Sequence, residues 1–227
     1  MNYPDTKDIG AIRSPIFINR SINVKEKASQ RRIEATLLIN EFIDALRGIK
    51  ICPEFSEIVS LLLNCNGKII TTGMGKAGIA MKKFTSTLNS LGFPSSYLHP
   101  GEAPHGDLGI ISPKDILFVA STSGKTREVI EIIDLARNIN VNKIIGITSH
   151  PDSVLRKKAD IILDMGVIRE AGHLGIAPTS SILVMLALTD SLALVAAKEK
   201  GFTKEDYALR HHAGYCGSLA REDNTVH

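Results

Sequence analysis

DILFVASTSGKTREVIEII, residues 115–133, reads as an apolar strand that empties into a hydroxyl-rich turn and then opens a helix. The run from Asp115 to Ser121 is nearly continuous in apolar residues, as expected of a strand covered on both faces. Helical spacing takes over from Thr126 to Ile139. Strand, short turn and helix in that order are the first half of a βαβ unit. The turn carries chemistry of its own. Ser121, Thr122, Ser123 and Thr126 offer four hydroxyls, and Gly124 allows the backbone to approach closely. The helix that follows directs its free N–H groups and positive dipole end at an anion. Such a turn suits phosphate, whereas the plainer alternative is that Ser and Thr only cap a helix.

The same alternation repeats on either side. KIITTG (68–73), SSYLH (95–99), KIIGIT (143–148) and DIILDM (160–165) are further short apolar runs. Most are separated by helical stretches, including Ala77–Leu91 and Ser153–Lys157. Five strands alternating with helices specify an α/β, three-layer, doubly wound parallel sheet. In such a sheet ligands sit beyond the carboxyl ends of the strands. Three of those ends carry polar turns here: GMGK, STSGKT and ITSHPDS.

Upstream, Ile33, Leu37, Leu38, Phe42, Ile43 and Leu46 follow a helical period from Lys25 to Gly48, and a second helix after Pro53 carries Ile58, Leu61 and Leu62. Residues 1–24 read as a flexible N-terminal arm and residues 25–227 as one domain. A chain of 227 residues, 44% hydrophobic and 22% charged, is long enough for one well-buried core and short for two. The net charge of +3 is spread along the chain without a dense basic run. That pattern argues against nucleic acid and for an anionic small molecule. Cys52, Cys65 and Cys216 are odd in number and far apart, so no disulfide framework is expected and a reducing compartment is. No signal peptide is read in the first two dozen residues. Ser181–Ala197 is interrupted by Thr189, Asp190 and Ser191, so it is expected to fall short of a membrane span and to be a buried helix. The expectation is a cytoplasmic protein with no membrane partner.

Four other segments offer reactive groups. TTGMGKAG (71–78) places Gly73 and Gly75 in a tight turn with Lys76 at a helix start. It lacks the acidic residue of a dinucleotide fingerprint and the Ser/Thr of a P-loop, so Lys76 is either solvated or aimed at the ligand of the STSGKT turn. HPGEAPHGDLG (99–109) gathers His99, His105, Glu102 and Asp107. His105 is a candidate acid/base group near neutral pH, and the spacing fits no helical metal motif. No metal and no cofactor are expected. REAGHLGIAPTSS (169–181) sets Glu170 before a glycine-rich loop and Pro178 in an expected first helical turn, beside the hydroxyls of Thr179, Ser180 and Ser181. Those hydroxyls either cap the helix or face the edge where the other polar turns meet. EDYALRHHAG (205–214) ends the expected helical region with His211 and His212 adjacent, in the simplest reading a surface pair.

Taken together, GMGKAG, HPGEAPHGDLG, STSGKTRE, REAGHLGIAPTSS and GFTKEDYALRHHAG occur in an order and spacing that resembles the sugar isomerase (SIS) domain of arabinose-5-phosphate isomerases. The likeness runs from about Val24 to Gly217. It implies a flavodoxin-like fold and reversible aldose–ketose conversion of D-ribulose 5-phosphate and D-arabinose 5-phosphate, feeding Kdo synthesis for lipopolysaccharide or capsule. By motif, it implies Lys76, Glu128, Glu170 and His211 as catalytic residues. It implies Ser121, Ser123 and Thr126 around the phosphate, with Gly75, His105, Thr179 and Ser180 also binding substrate. It further implies a homotetramer in which neighbouring subunits complete each other's sites, His211 reaching into the next subunit.

The departures matter unequally. The family's usual Ser-Asn-Ser-Gly-Glu becomes a turn with Thr122 and Lys125, exchanging an acid for a base in favour of phosphate. Its usual His-Pro-Gly-Gly becomes His211-His212-Ala213-Gly214, so that loop is expected to be less constrained. With the sequence ending at His227, a form lacking paired CBS domains is expected. The carbon base stays open among Glu128, Glu170 and His211, the motifs favouring His211 and Glu128. A SIS isomerase of heptose or hexulose phosphates, and a non-catalytic sugar-phosphate sensor, are the alternative readings.

Overall fold

The strand that feeds the STSGKT turn lies at the middle of a five-stranded sheet in a computed structural model that describes residues 24–222. Contacts group the chain into two compact units, residues 1–37 and 38–227. Of the first, the described part is the opening of helix α1 (Val24–Arg47), on which Ile33 and Leu37 are exposed. The expected N-terminal arm, apart from Val24, falls outside the described residues.

The second unit holds the remainder of α1 and then, in order, α2 (Glu54–Leu63), β1 (Ile69–Gly73), α3 (Gly75–Ser90), β2 (Ser95–Leu98), two 3-10 turns (Ala103–His105 and Asp107–Ile110), β3 (Ile116–Ala120), α4 (Arg127–Asn138), β4 (Lys143–Thr148), α5 (Val154–Lys158), β5 (Ile161–Asp164), α6 (Ser180–Glu199), α7 (Lys204–Ala208) and α8 (Gly214–Glu222). The strands pair in parallel in the order β2-β1-β3-β4-β5. This is the flavodoxin-like winding, and the five expected strands are all present. Helix α8 is an addition, because the sequence pattern loses its apolar period after the paired histidines.

Alternation along each strand divides the core between two faces. Ile116, Phe118 and Ala120 of β3 join the cluster that contains α2, α3 and α6. Leu117 and Val119 join the cluster formed with α4 and α5. On the first face the Phe84 and Phe118 rings meet edge to face, 5.3 Å apart, the orientation that aligns a positive ring edge with a negative face.

Helix α6 corrects one expectation. With 20 residues and a mean hydropathy of 1.9 over its most apolar stretch, it is long and apolar enough, by length and composition alone, to cross a membrane. Its packing gives it another place. Val184, Met185, Leu188, Leu192 and Ala196 are buried in the α2–α3 cluster, and Asp190 pairs with Lys83 and accepts from Thr87 Oγ1 at 3.3 Å. Thr189 is absorbed by its own helix, donating to the Met185 carbonyl. The polar interruptions are thus satisfied inside a core helix.

At the sheet edge, Asp160 accepts from the Ile144 amide and the Arg137 guanidinium, each at 2.7 Å. Burial pushes its carboxyl up, but the Arg137 and Ile144 hydrogen bonds outweigh it and hold the group below the usual carboxylate range. A depressed native pKa contributes stability above the unfolded value, about 3.9, and that contribution is lost as pH falls through the native value. We expect Asp160→Asn to lower stability by about 1–2 kcal/mol at neutral pH, the gap to wild type narrowing below about pH 4. Thermal melts across pH 3–7 check this; a gap that stays constant with pH would refute it.

Candidate active site at the switch point of the sheet

Strands β1 and β3 are neighbours, in register from Ile69 opposite Ile116 to Gly73 opposite Ala120, yet their crossover helices leave for opposite faces. Their carboxyl ends therefore open a crevice, the place where doubly wound sheets bind ligands. The two turns that border it are Met74–Lys76 and Ser121–Thr126.

Ser121 is buried and its hydroxyl organises the second turn. It accepts from the Gly124 amide at 3.1 Å and lies 2.9 Å from Thr126 Oγ1 and 3.5 Å from Ser123 Oγ. Three of the expected hydroxyls are brought together. Thr122 contributes chiefly its carbonyl, which accepts from Thr148 Oγ1 and from the amide and hydroxyl of Ser149, each at 3.1 Å. The Leu155 amide donates to the Gly124 carbonyl, so the turn after β4 braces the turn after β3. Because Thr126 bonds to Ser121, it does not cap α4. The first N–H groups of that helix are left as donors beside the hydroxyl cluster.

Glu128 stands in the first turn of α4, exposed and without a hydrogen bond or ion pair among the described residues. Ala103, buried in the same cluster as Val129 of α4, anchors the 3-10 turn that ends at exposed His105. On the other turn, Gly75 has φ +58° and open space where a side chain would project. Tyr97, which sequence reasoning passed over as one polar ring in a short strand, donates to the Gly73 carbonyl at 2.7 Å. A Cβ on Gly78 would crowd that same carbonyl, so the glycine permits α3 to start against β1. Burial pushes the Tyr97 phenol above its usual range, keeping it a proton donor to Gly73.

Lys76 shares a cavity of about 340 Å³ with Thr179, Pro178 and the apolar side chains Phe42, Ile79, Ile182 and Leu183. The start of α6 differs from expectation. Pro178 precedes the helix, which begins at Ser180 with Thr179 as N-cap and no side-chain cap of its own. The capping acceptor is Glu170. Its Oε2 accepts from the amides of Thr179 (2.8 Å) and Ser181 (3.2 Å) and lies 3.4 Å from Thr179 Oγ1. Ser180 and Ser181 are buried, and their hydroxyls have no partner among the described residues.

His211 lies elsewhere. It lines a cavity of about 400 Å³ with Lys82, Ser86, Ser90 and Arg210, along the second half of α3. Helical rise puts the α3 residues of this cavity, Lys82 to Ser90, about 9–21 Å along the helix from Lys76, and among the described residues no hydrogen bond joins His211 to the hydroxyl cluster. The loop around it is also tighter than expected. Arg221 of α8 donates to the His211 carbonyl at 2.9 Å and the His212 carbonyl at 3.4 Å, replacing the constraint that proline would have supplied. Among the described residues no group of three or more His, Cys, Asp and Glu side chains converges as metal ligands would.

Residues 62–195 match the family model described as the SIS domain. The arabinose 5-phosphate isomerase KdsD of Pseudomonas aeruginosa is 38% identical over 192 residues, covering 84% of this chain and 58% of that protein. The chain spans about half the length of the curated relatives it matches. Two solved structures are nearly coextensive with its fold. A Bacteroides fragilis protein described as a candidate phosphosugar isomerase involved in capsule formation superposes with a TM-score of 0.78 at 39% identity, covering 82% of this chain and 99% of that one. An Escherichia coli CFT073 protein in complex with arabinose 5-phosphate superposes at 0.77 with 31% identity, covering 81% and 98%.

Proposed function

The chain belongs to the SIS domain family, and on that premise we propose that it is an isomerase interconverting D-ribulose 5-phosphate and D-arabinose 5-phosphate. The observation that carries the reading is the Ser121–Ser123–Thr126 hydroxyl cluster at the uncapped start of α4, with the unengaged Glu128 carboxylate one turn away. The identity with KdsD and the fold shared with a protein that holds arabinose 5-phosphate support it.

In this reading the phosphate sits on the three hydroxyls and the α4 amides, and the sugar carbonyl lies toward Lys76 and the acid/base groups. The ketose gives up a proton from C1, or the aldose from C2, to a protein base. The resulting enediolate keeps its electron pair, and a proton returns to the other carbon while another moves between O1 and O2. The Lys76 ammonium stabilises the oxyanion. Glu170 Oε2 accepts from the Thr179 and Ser181 amides, and the motifs favour Glu128 and His211 as the proton carriers, His211 being brought by a neighbouring subunit. His105, Gly75 and Thr179 complete the substrate pocket.

His211 lines a cavity along Lys82–Ser90 of its own α3, and in this reading it serves a neighbouring subunit's crevice. A homotetramer with shared sites meets that need. The enzyme would be cytoplasmic and would supply a pentose phosphate to Kdo synthesis for lipopolysaccharide or capsule.

In deuterated water containing EDTA, the purified chain is expected to place deuterium at C2 of arabinose 5-phosphate or C1 of ribulose 5-phosphate. Absence of label from folded protein would sink the proposal. Faster turnover on a six- or seven-carbon phosphate than on the pentoses would redirect it to another substrate.

A further inference from the structure

The surroundings of His211 fix which of its nitrogens is free. Nδ1 lies 3.0 Å from the carbonyl oxygen of Tyr207. A carbonyl oxygen only accepts, so the contact requires the proton on Nδ1 and leaves the Nε2 lone pair open in the neutral ring. The Tyr207 ring lies parallel to the imidazole, 3.7 Å between centroids and 7° between planes. That stack covers one face of the ring and opposes its rotation.

Both supports are built into local structure. Tyr207 belongs to α7, a short helix closed by a reciprocal cap in which Asp206 N donates to Thr203 Oγ1 and Thr203 N to Asp206 Oδ2. The Arg210 and His211 amides donate to the Tyr207 and Ala208 carbonyls, which turns the chain back so that residue 211 falls over residue 207. From the other side, the two Arg221 bonds hold the carbonyls of His211 and His212. Gly217 lets α8 approach, since a Cβ there would collide with the His211 carbonyl oxygen.

We propose that Tyr207 and Arg221 are positioning residues that present His211 as the Nδ1–H tautomer, with Nε2 as its proton-accepting atom. The inference rests on the acid/base role of His211 set out under the proposed function. Tyr207 and Arg221 touch no substrate in this account. They act through His211, Tyr207 on its ring and Arg221 on its backbone carbonyl, as an orienting group serves a catalytic base.

The test combines nitrogen NMR of the full chain, labelled at histidine, with kinetics. The His211 resonances are identified by their loss in His211→Ala. Expected in the wild type is a protonated Nδ1 and an unprotonated Nε2 in the neutral ring. Tyr207→Phe keeps the stack and the backbone carbonyl and should retain wild-type turnover, which also serves as the folding control. Tyr207→Leu and Arg221→Gln should each lower kcat about tenfold with KM changed less than about twofold, Tyr207→Leu also shifting the ring toward a tautomer mixture. A wild-type Nε2–H tautomer, or wild-type kcat in both Tyr207→Leu and Arg221→Gln, would overturn the proposal. Full activity in His211→Ala would instead overturn the acid/base reading, with the nitrogen shifts still deciding the tautomer.

Discussion

His211→Ala and Glu128→Gln are each expected to lower isomerase turnover by about a hundredfold or more, the usual effect of removing a general acid/base. Yet a mixture of the two variants, unfolded and refolded together, should regain activity. The reason is the length of α3. Lys76 lies in its first turn beside the crevice, while His211 lies against the half that ends at Ser90. If each site draws Glu128 from one chain and His211 from another, random assembly of equal amounts restores both groups at about a quarter of the sites. If both groups come from one chain, every site lacks one of them and mixing restores nothing. Steady-state turnover of the refolded mixture, compared with each variant refolded alone, decides between the two arrangements.

Gly124→Ala is expected to damage both stability and phosphosugar binding. Gly124 has φ +60°, a region that costs an L-residue about 1–2 kcal/mol. A Cβ there would collide with Ser153 and stand 3.0 Å from Thr148 Oγ1. Ser153 cannot yield freely, because its hydroxyl accepts from Arg156 N to cap α5. With overpacking added to strain, the loss should reach about 2–4 kcal/mol. Function should suffer as well, since the Gly124 amide orients Ser121 and the Gly124 carbonyl receives Leu155. Denaturant melts and phosphosugar titration measure the two effects. Ser123→Ala is the contrast, because its exposed hydroxyl can be lost with little stability while phosphate affinity falls. Wild-type stability and affinity in Gly124→Ala would show that the turn does not depend on its bracing.

The two experiments bear on different parts of what could be read from residues alone. The hydroxyl-rich turn was legible because it is local: hydroxyls, a glycine and a helix start lie within six residues, and their geometry follows from strand and helix periods. The role of Glu170 was not. Nine and eleven residues separate it from the amides of Thr179 and Ser181 that it caps, and only the path of the intervening loop joins them. The burial of Ser180 was not legible either, since a hydroxyl at a helix start reads as surface chemistry until the helix's rotation is known. Tyr97 was passed over because its partner, the Gly73 carbonyl, belongs to a neighbouring strand.

Sequence periodicity by itself determined the five strands, most of their helices and the strand ends that carry polar turns, because burial on two faces demands continuous apolar strands and alternating crossovers, whereas the pairing of β1 with β3 that opens the crevice came with the fold. It also determined the hydroxyl, lysine and carboxylate residues that those strand ends offer. Tertiary structure decided how these groups are engaged: Glu128 has no hydrogen bond or ion pair among the described residues, Glu170 Oε2 caps α6, and His211 stacks on Tyr207 beside α3. The physical reason is range. Hydrogen bonds within one turn are fixed by backbone geometry, whereas those between a loop and a distant helix depend on how the whole core packs.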